Sequence, residues 1–456
     1  MKLLDRLAAA AVLLVLAGLA LVAQWRVPAN APQTELTPPQ DVVFWHFWGG
    51  EDRKVVEEVV SRFNASQSRY RVRAIAMPGN NLDLKVFLAI TGGDPPDLIN
   101  QDDPILGDWA SRGALLPLED IVPPDELQKL DGWLFPAARR LGMYGERHYA
   151  LCNGLDIRAL YYNQTLLDEL GESPPATLDE LDALAERIAP PGEERRERYA
   201  FLPDARRLWA CGPVFGGGFF AEKYGGVAID TPQNRAALEW MIGYRRRYGS
   251  DNLAAFRTGD QSLPGKTFPL LSGRYVFLMD GQWRVRDIRA AQRVQRQRGE
   301  EPTQYGVCSL PPPPGGQRDA GWVNGNFFVV PRGAKQASGA WEFMKFWSGF
   351  DGNECEAAQT NIAGGWIPVS GRVVEQQLFQ EYLATEPLFA EFVRLAGSES
   401  QYPVPVIAGA PFLKREIESL GERALSDEAA EDAGKLLAEA ERRVNEHLHR
   451  QAGAQR

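Results

Sequence analysis

Aromatic side chains stand beside glycine at four points of this chain: Trp48-Gly49, Phe215-Gly216, Trp283 after Gly281, and Trp366 after Gly365. A large ring is costly to leave in water unless it packs on something, so each either plugs a core or waits for a flat apolar ligand face. Trp283 suits the ligand reading best, because it falls just past the turn that ends an apolar run. Trp48 and Trp366 fit either reading, and Phe215 fits a core better. Trp133, Trp240, Trp341 and Trp347 sit at helical spacing among apolar neighbours and read as core. No catalytic set assembles around these rings. His46, His148, His447 and His449 are not spaced as metal ligands, and no GxSxG elbow, Walker motif or dinucleotide glycine pattern is present. Asp102-Asp103 serves equally well as ligand contacts or as a loop start that caps a helix. Cys152, Cys211, Cys308 and Cys355 contain no CxxC pair, which excludes a zinc ribbon or a thioredoxin-like motif but leaves Cys152 and Cys211 able to pair across space. No cofactor and no metal are expected.

The elements that must position these residues follow from periodicity. Val42–Trp48 reads as a strand ending at Gly49-Gly50, Arg53–Asn64 as a helix with Val55, Val56, Val59, Val60 and Phe63 on one face, and Tyr70–Ala76 as a second strand. Leu82–Thr91 is helical and Asp97–Asn100 a third strand, an order that signals an open α/β sheet with ligands at the carboxyl ends of its strands. Between Tyr149 and Asn163 two strands are expected, split by a polar interruption at Asn153-Gly154 that would suit a domain crossover. Thr177 and Thr231 cap helices, the second followed by Pro232 in its first turn. Trp209–Phe220, rich in aromatics and glycine, reads as loop. Tyr275–Met279 is an apolar strand bounded by Ser272-Gly273 and Asp280-Gly281, and Gly321–Pro331 another with a polar break at Asn324-Gly325-Asn326.

A chain of 456 residues suits two or three domains, and 44% hydrophobic with 24% charged residues is ordinary for a folded protein. The formal net charge of -10 argues against a nucleic-acid partner, which calls for a basic patch, and favours a neutral or weakly charged ligand. Lys2 and Arg6 before the apolar run Leu7–Ala23 have the layout of an export signal. The run is near the roughly 17-residue minimum for a membrane span and lacks a following Cys, so residues 1–26 read as an uncleaved anchor rather than a cleaved signal or a lipidation site. Residues 27–40, rich in Pro, form an extended spacer.

Taken in order, VVFWHFWGG, GGDPPDLIN, WASRGALLPLEDI, ALYYNQTLLDELGESPPATLDELDALA, FPLLSGRYVFLMDGQW, GAKQASGAWEFMKFW and GGWIPVS resemble the extracellular solute-binding proteins of the maltose-binding type, the receptors of sugar ABC importers. The likeness spans residues 41–450. It implies a two-lobed α/β periplasmic-binding-protein fold of type II, lobes joined by hinge strands, with sugar held between them by aromatic stacking and by hydrogen bonds from Asp, Asn, Glu and Arg. Carried over by position, Trp283 is the stacking indole, Trp48–Glu51 and Gln101–Asp103 are first-lobe loops, Trp366 lies on a second-lobe loop and Phe412 is a late aromatic contact. Asn153, Asp156, Phe215 and Asn326 complete the expected ligand set with Trp48, Glu51, Gln101, Asp102, Asp103, Trp283, Trp366 and Phe412. Cys152-Asn153-Gly154 stand where the family's Tyr-Ala-Leu strand is usually followed by Pro, a departure that alters the hinge or puts Asn153 in the cleft. The first lobe is expected to hold 41–152 and 272–324, the second 155–268 and 325–450, so that FPLLSGRYVFLMDGQW is a return crossing. The implied protein is a monomeric, non-catalytic receptor in the periplasm or at the cell surface, tethered by its N-terminal helix, with ABC permease subunits as membrane partners. A ligand sensor for a membrane partner and a carbohydrate-active enzyme on the same scaffold are the alternatives.

Overall fold

The computed structural model describes residues 38–77, 82–102, 104–192, 196–221, 226–261, 268–430 and 432–454; the expected anchor and most of the spacer lie outside these. Twelve strands occur among them. In chain order they are β1 Gln40–His46, β2 Tyr70–Ala76, β3 Leu98–Asp102, β4 Met143–Tyr144, β5 Arg147–His148, β6 Ala150–Asn163, β7 Phe220–Ala221, β8 Gly226–Val227, β9 Phe277–Gly281, β10 Tyr305–Cys308, β11 Gly321–Val329 and β12 Gln401–Tyr402. One eight-stranded sheet takes the order β10-β6-β11-β3-β1-β2, with β9 also on β6 and β12 on β11.

The expected helices form for the expected reasons. Helix Gly50–Ser66 buries Val56, Val59, Val60 and Phe63, spaced to share one face. Thr177 Oγ1 accepts from the backbone N–H of Glu180, and Thr231 Oγ1 from that of Asn234, at the starts of Leu178–Ile188 and Pro232–Tyr248.

β6 and β11 organise the molecule. Along Ala150–Ile157 β6 pairs with β11, and along Arg158–Tyr162 with β9, while Leu160–Asn163 pairs with β10. β11 pairs with β3 only through Asn326–Val329 and with β12 only through Gly321-Trp322. Three apolar cores result. One joins Val42, Phe44, Val56, Phe63, Phe328, Phe343 and Trp347; a second joins Ile157, Leu160, Tyr161, Met241, Phe277, Ile288, Val323 and Ile417; a smaller third joins Leu82, Val86, Ile99, Trp109, Phe327 and Val329. Each of the two long strands therefore serves both lobes.

This pairing corrects the expected lobe boundaries. β9 and β10 lie on the distal half of β6, so residues 277–308 belong with 155–268 rather than with 41–152. Phe328 and helix Ala337–Ser348 pack on Phe44 and Phe63, which puts them with the N-terminal strands. The FPLLSGRYVFLMDGQW stretch crosses nothing; the crossing strands are β6 and β11. Asn153-Gly154 does not end β6 but bends its pairing: Gly154 stands opposite Asn326, and Asn153, skipped by the ladder at the Asn326-Phe327 step, is the extra residue of a β-bulge within one 14-residue strand. Trp209–Phe220 is not a loop throughout: Leu208–Val214 is a helix buried at every residue, including Gly212, where a Cβ would meet Asn234 Oδ1 at 2.9 Å. Gly212 and Gly217 mark close packing, whereas Gly216 is exposed.

Candidate functional site

β9 ends in Asp280-Gly281-Gln282-Trp283, and each residue of this turn has a distinct task. Asp280 is buried and accepts from Arg207 Nη2 at 3.1 Å, Arg284 Nε at 2.8 Å and the Gly281 N–H at 2.9 Å, which moors the strand exit. Gly281 leaves room for the indole of Trp283: a Cβ there would stand 2.2 Å from two of its ring carbons. Gln282 is buried and stitches the turn to β6, accepting from Ile157 N–H at 3.2 Å and donating to Leu155 O at 3.3 Å and Asp156 Oδ1 at 2.5 Å. Trp283 itself is 37% exposed, whereas Trp322, Trp341, Trp347 and Trp366 are at most 7%.

The sheet beside Trp283 presents a polar row on one face. Side chains two apart on a strand point the same way, and Gly154, Asp156 and Arg158 of β6 stand opposite Asn326, Asn324 and, on β9, Gly281. Asn326 in turn stands opposite Asp102 at the carboxyl end of β3. The alternate residues Leu155, Ile157 and Val323 are fully buried on the other face. The Arg158 guanidinium lies over the rings of both Trp283 and Trp322, 5.1 and 4.1 Å from their centroids, and Lys414 Nζ lies 5.8 Å from that of Trp322. Asp102 is open to water yet hemmed in by the cleft walls, and this enclosure raises its carboxyl above the usual range, with Lys414 opposing and Asp156 adding to the rise. Enclosure raises Asp156 as well, against the pull of Arg158 and of the Gln282 hydrogen bond. Carboxylates, amides and cations around one open indole form a surface that can take a ligand with apolar C–H faces and a rim of hydroxyls.

Residues 58–386 match the family described as bacterial extracellular solute-binding protein. The chain belongs to that family. A maltotriose-binding protein of Pyrococcus abyssi (strain GE5 / Orsay) is 26% identical over 340 residues, 73% of this chain and 67% of its own length. The sugar-binding protein MalE from the phytopathogen Xanthomonas citri superposes with a TM-score of 0.73 at 18% identity, over 91% of this chain and 99% of that one. A cyclic alpha-maltosyl-1,6-maltose binding protein from Arthrobacter globiformis gives 0.68 at 22%, over 89% and 99%. The two-lobed α/β fold of the maltose-binding type is thus the fold of this solute-binding protein.

Within it, only some of the expected ligand residues gather. Asp102, Asp156, Trp283 and Asn326 share the polar face. Trp48 and Trp366 do not offer free rings: both are nearly buried and stack on Trp347, with centroids at 5.5 and 5.7 Å and interplanar angles of 9° and 24°. Phe215 is buried 6.0 Å from Trp240. Asn153 is buried and accepts from Asn100 Nδ2 at 3.1 Å, which ties β6 to β3. Gln101 Oε1 accepts from the Asp102 N–H at 3.1 Å, Glu51 is exposed and paired with Lys54, and Asp103 lies outside the described residues. Phe412 stacks on His447 at 4.1 Å in a cavity of about 440 Å³ that also meets Asp108 and Arg415. Arg158, Gln282, Trp322, Asn324 and Lys414 were not expected. For Arg158 the signal was available, since it stands as a cation inside the apolar text of β6; Lys414 sits on a helix some 256 residues away in sequence. The open pairing of Cys152 with Cys211 does not occur: neither is in a disulfide, and Cys152 Sγ donates to the carbonyls of Gly154 and Asn326. Among the described residues no His/Cys/Asp/Glu group could hold a metal ion, and no helix is long and apolar enough to cross a membrane.

Proposed function

We propose that this solute-binding protein captures a carbohydrate between its lobes and delivers it to the permease subunits of an ABC importer, acting as a monomeric receptor without catalysis. The observation that carries this reading is the open indole of Trp283, held over Gly281 at the edge of a face lined by Asp102, Asp156, Arg158 and Asn326. A pyranose offers C–H faces to such a ring and hydroxyls to such a rim. The maltotriose-binding relative supports the ligand class. The basic Lys2 and Arg6 followed by the apolar run Leu7–Ala23 support work outside the cytoplasm, in the periplasm or at the cell surface, with residues 1–26 as tether.

The test is a thermal-shift screen with malto-oligosaccharides, other sugars, polyols and amino acids, followed by titration calorimetry on each hit. A sugar at a hundred times its Kd should stabilise the protein by about 2.7 kcal/mol. Trp283→Ala should weaken that sugar by roughly 10- to 100-fold, the range of a central aromatic contact. Unchanged affinity in Trp283→Ala would show that the sugar sits elsewhere.

A further inference from the structure

Arg286 stands three residues beyond Trp283, on helix Arg284–Gln297, and its two terminal nitrogens reach different elements. Nη1 lies 3.4 Å from Asp52 Oδ1, in the first turn of helix Gly50–Ser66, and Nη2 donates at 2.8 Å to the carbonyl of Gly364. That carbonyl ends helix Glu354–Gly364, where the exposed C=O groups carry partial negative charge. The two targets are tied to each other, because Arg62 of the first helix bonds Glu356 and Thr360 of the second at 3.0 and 2.7 Å, although the second helix buries Ala357 and Ala358 in the core built on Tyr161. Helix Gly50–Ser66 packs in the core built on Phe44, while helix Arg284–Gln297 buries Val285 and Ile288 in the core built on Tyr161. The Asp52 arm of Arg286 therefore spans the two lobes at the end of the cleft where Trp283 lies, and the Gly364 arm holds the guanidinium in place for it. Gly365 caps helix Glu354–Gly364 with a left-handed φ of +64°. A separate tie, Gly409 N–H to Asp108 Oδ1 at 2.5 Å, joins the lobes through other elements.

We propose that Arg286 is a positioning residue for ligand capture, bracing the helix that starts at Trp283 against Asp52 and the Gly364 carbonyl so that the lobes hold together at this end of the cleft before ligand arrives. Its effect on ligand release rests on the carbohydrate reading; its effect on lobe spacing does not. Arg286 is exposed and Asp52 half-buried, so the brace is of the modest strength of a surface ion pair and sensitive to salt.

Nitroxides at Ser68→Cys on one lobe and Gln297→Cys on the other, in a Cys308→Ser, Cys355→Ser background, report the spacing by pulsed electron resonance without sugar. Arg286→Ala and Asp52→Ala should each shift the distance distribution to longer values, the double variant should shift it no further than Arg286→Ala, and Arg286→Lys, a single-point donor, should fall between parent and Arg286→Ala. With maltotriose as probe, Arg286→Ala should release it about two- to fivefold faster, an effect that shrinks at 1 M NaCl. Distance distributions that superimpose on the parent's, in folded variants, overturn the brace. A parent protein that binds no sugar overturns the carbohydrate reading and leaves the distance result to stand by itself.

Discussion

Gly281 matters for the side chain it lacks. Any Cβ would collide with the Trp283 ring, so Gly281→Ala should swing the indole off the turn and weaken sugar binding by about tenfold, close to the loss in Trp283→Ala, while the melting temperature barely moves because the ring is partly exposed already. Calorimetry on the two variants side by side checks this. Asp156 gives a second residue-scale outcome. Its folded-state pKa is raised, so the folded chain holds the proton more tightly than the unfolded chain does, and the ionised carboxylate costs stability at neutral pH. That cost fades as pH falls through the raised value and is gone below the ordinary 3.8. Asp156→Asn, which can still accept from Gln282, should therefore melt higher than the parent at pH 7, lose that advantage as the pH approaches 3.8, and bind sugar less well. Equal melting points at pH 7 would contradict the account. The sequence showed Trp283 and Asp156 as candidates and ranked Trp283 above Trp48 and Trp366, but it left those two open, since the same aromatic-glycine pairing serves an open turn in one place and a ring stack in the others.

At the scale of elements, periodicity was a reliable guide wherever a segment buries one face. Helix Gly50–Ser66 and the threonine caps follow from spacing and capping chemistry alone. It failed where tertiary packing reassigns a local signal. Asn153 and Gly154 look like a break, yet Asn153 is satisfied by Asn100 of β3, so β6 continues past them through a single β-bulge. The stack of Trp48, Trp347 and Trp366 is the other instance: three elements distant in sequence, the exit of β1, helix Ala337–Ser348 and the segment after Gly365, meet at one point. Trp347 is fully buried at its centre, with Phe44, Phe328 and Phe343 at its edges. Trp347→Ala should cost about 3–5 kcal/mol in urea-induced unfolding, the range for emptying a buried aromatic site. Trp283→Ala should cost far less, and that contrast tests which indoles serve the core and which the ligand.

For the whole molecule, the two-lobed plan could be read from the order of motifs, whereas the lobe boundaries could not, because they depend on which strands pair. β9 belongs to one lobe and β11 to both, and no property of their own residues says so; only their partners do. The lobes are coupled where β6 and β11 run side by side, and the tightest point is Gly325, where a Cβ would sit 2.4 Å from the Gly154 carbonyl and 3.2 Å from Cys152 Sγ. Backbone cannot move aside as a flexible side chain can, so Gly325→Ala must push β6 and β11 apart at the crossover. The expected cost is about 1–3 kcal/mol, the range for overpacking a close contact. The parent, with one sheet continuous through both lobes, should unfold in urea with tryptophan fluorescence and far-ultraviolet dichroism changing together. In Gly325→Ala the fluorescence change should itself split into two transitions, because Trp48, Trp347 and Trp366 report one lobe and Trp209 and Trp322 the other. Coincident transitions in a destabilised variant would mean that the lobes are held together by something other than the paired strands, and would shift attention to ties such as Asp108 to Gly409.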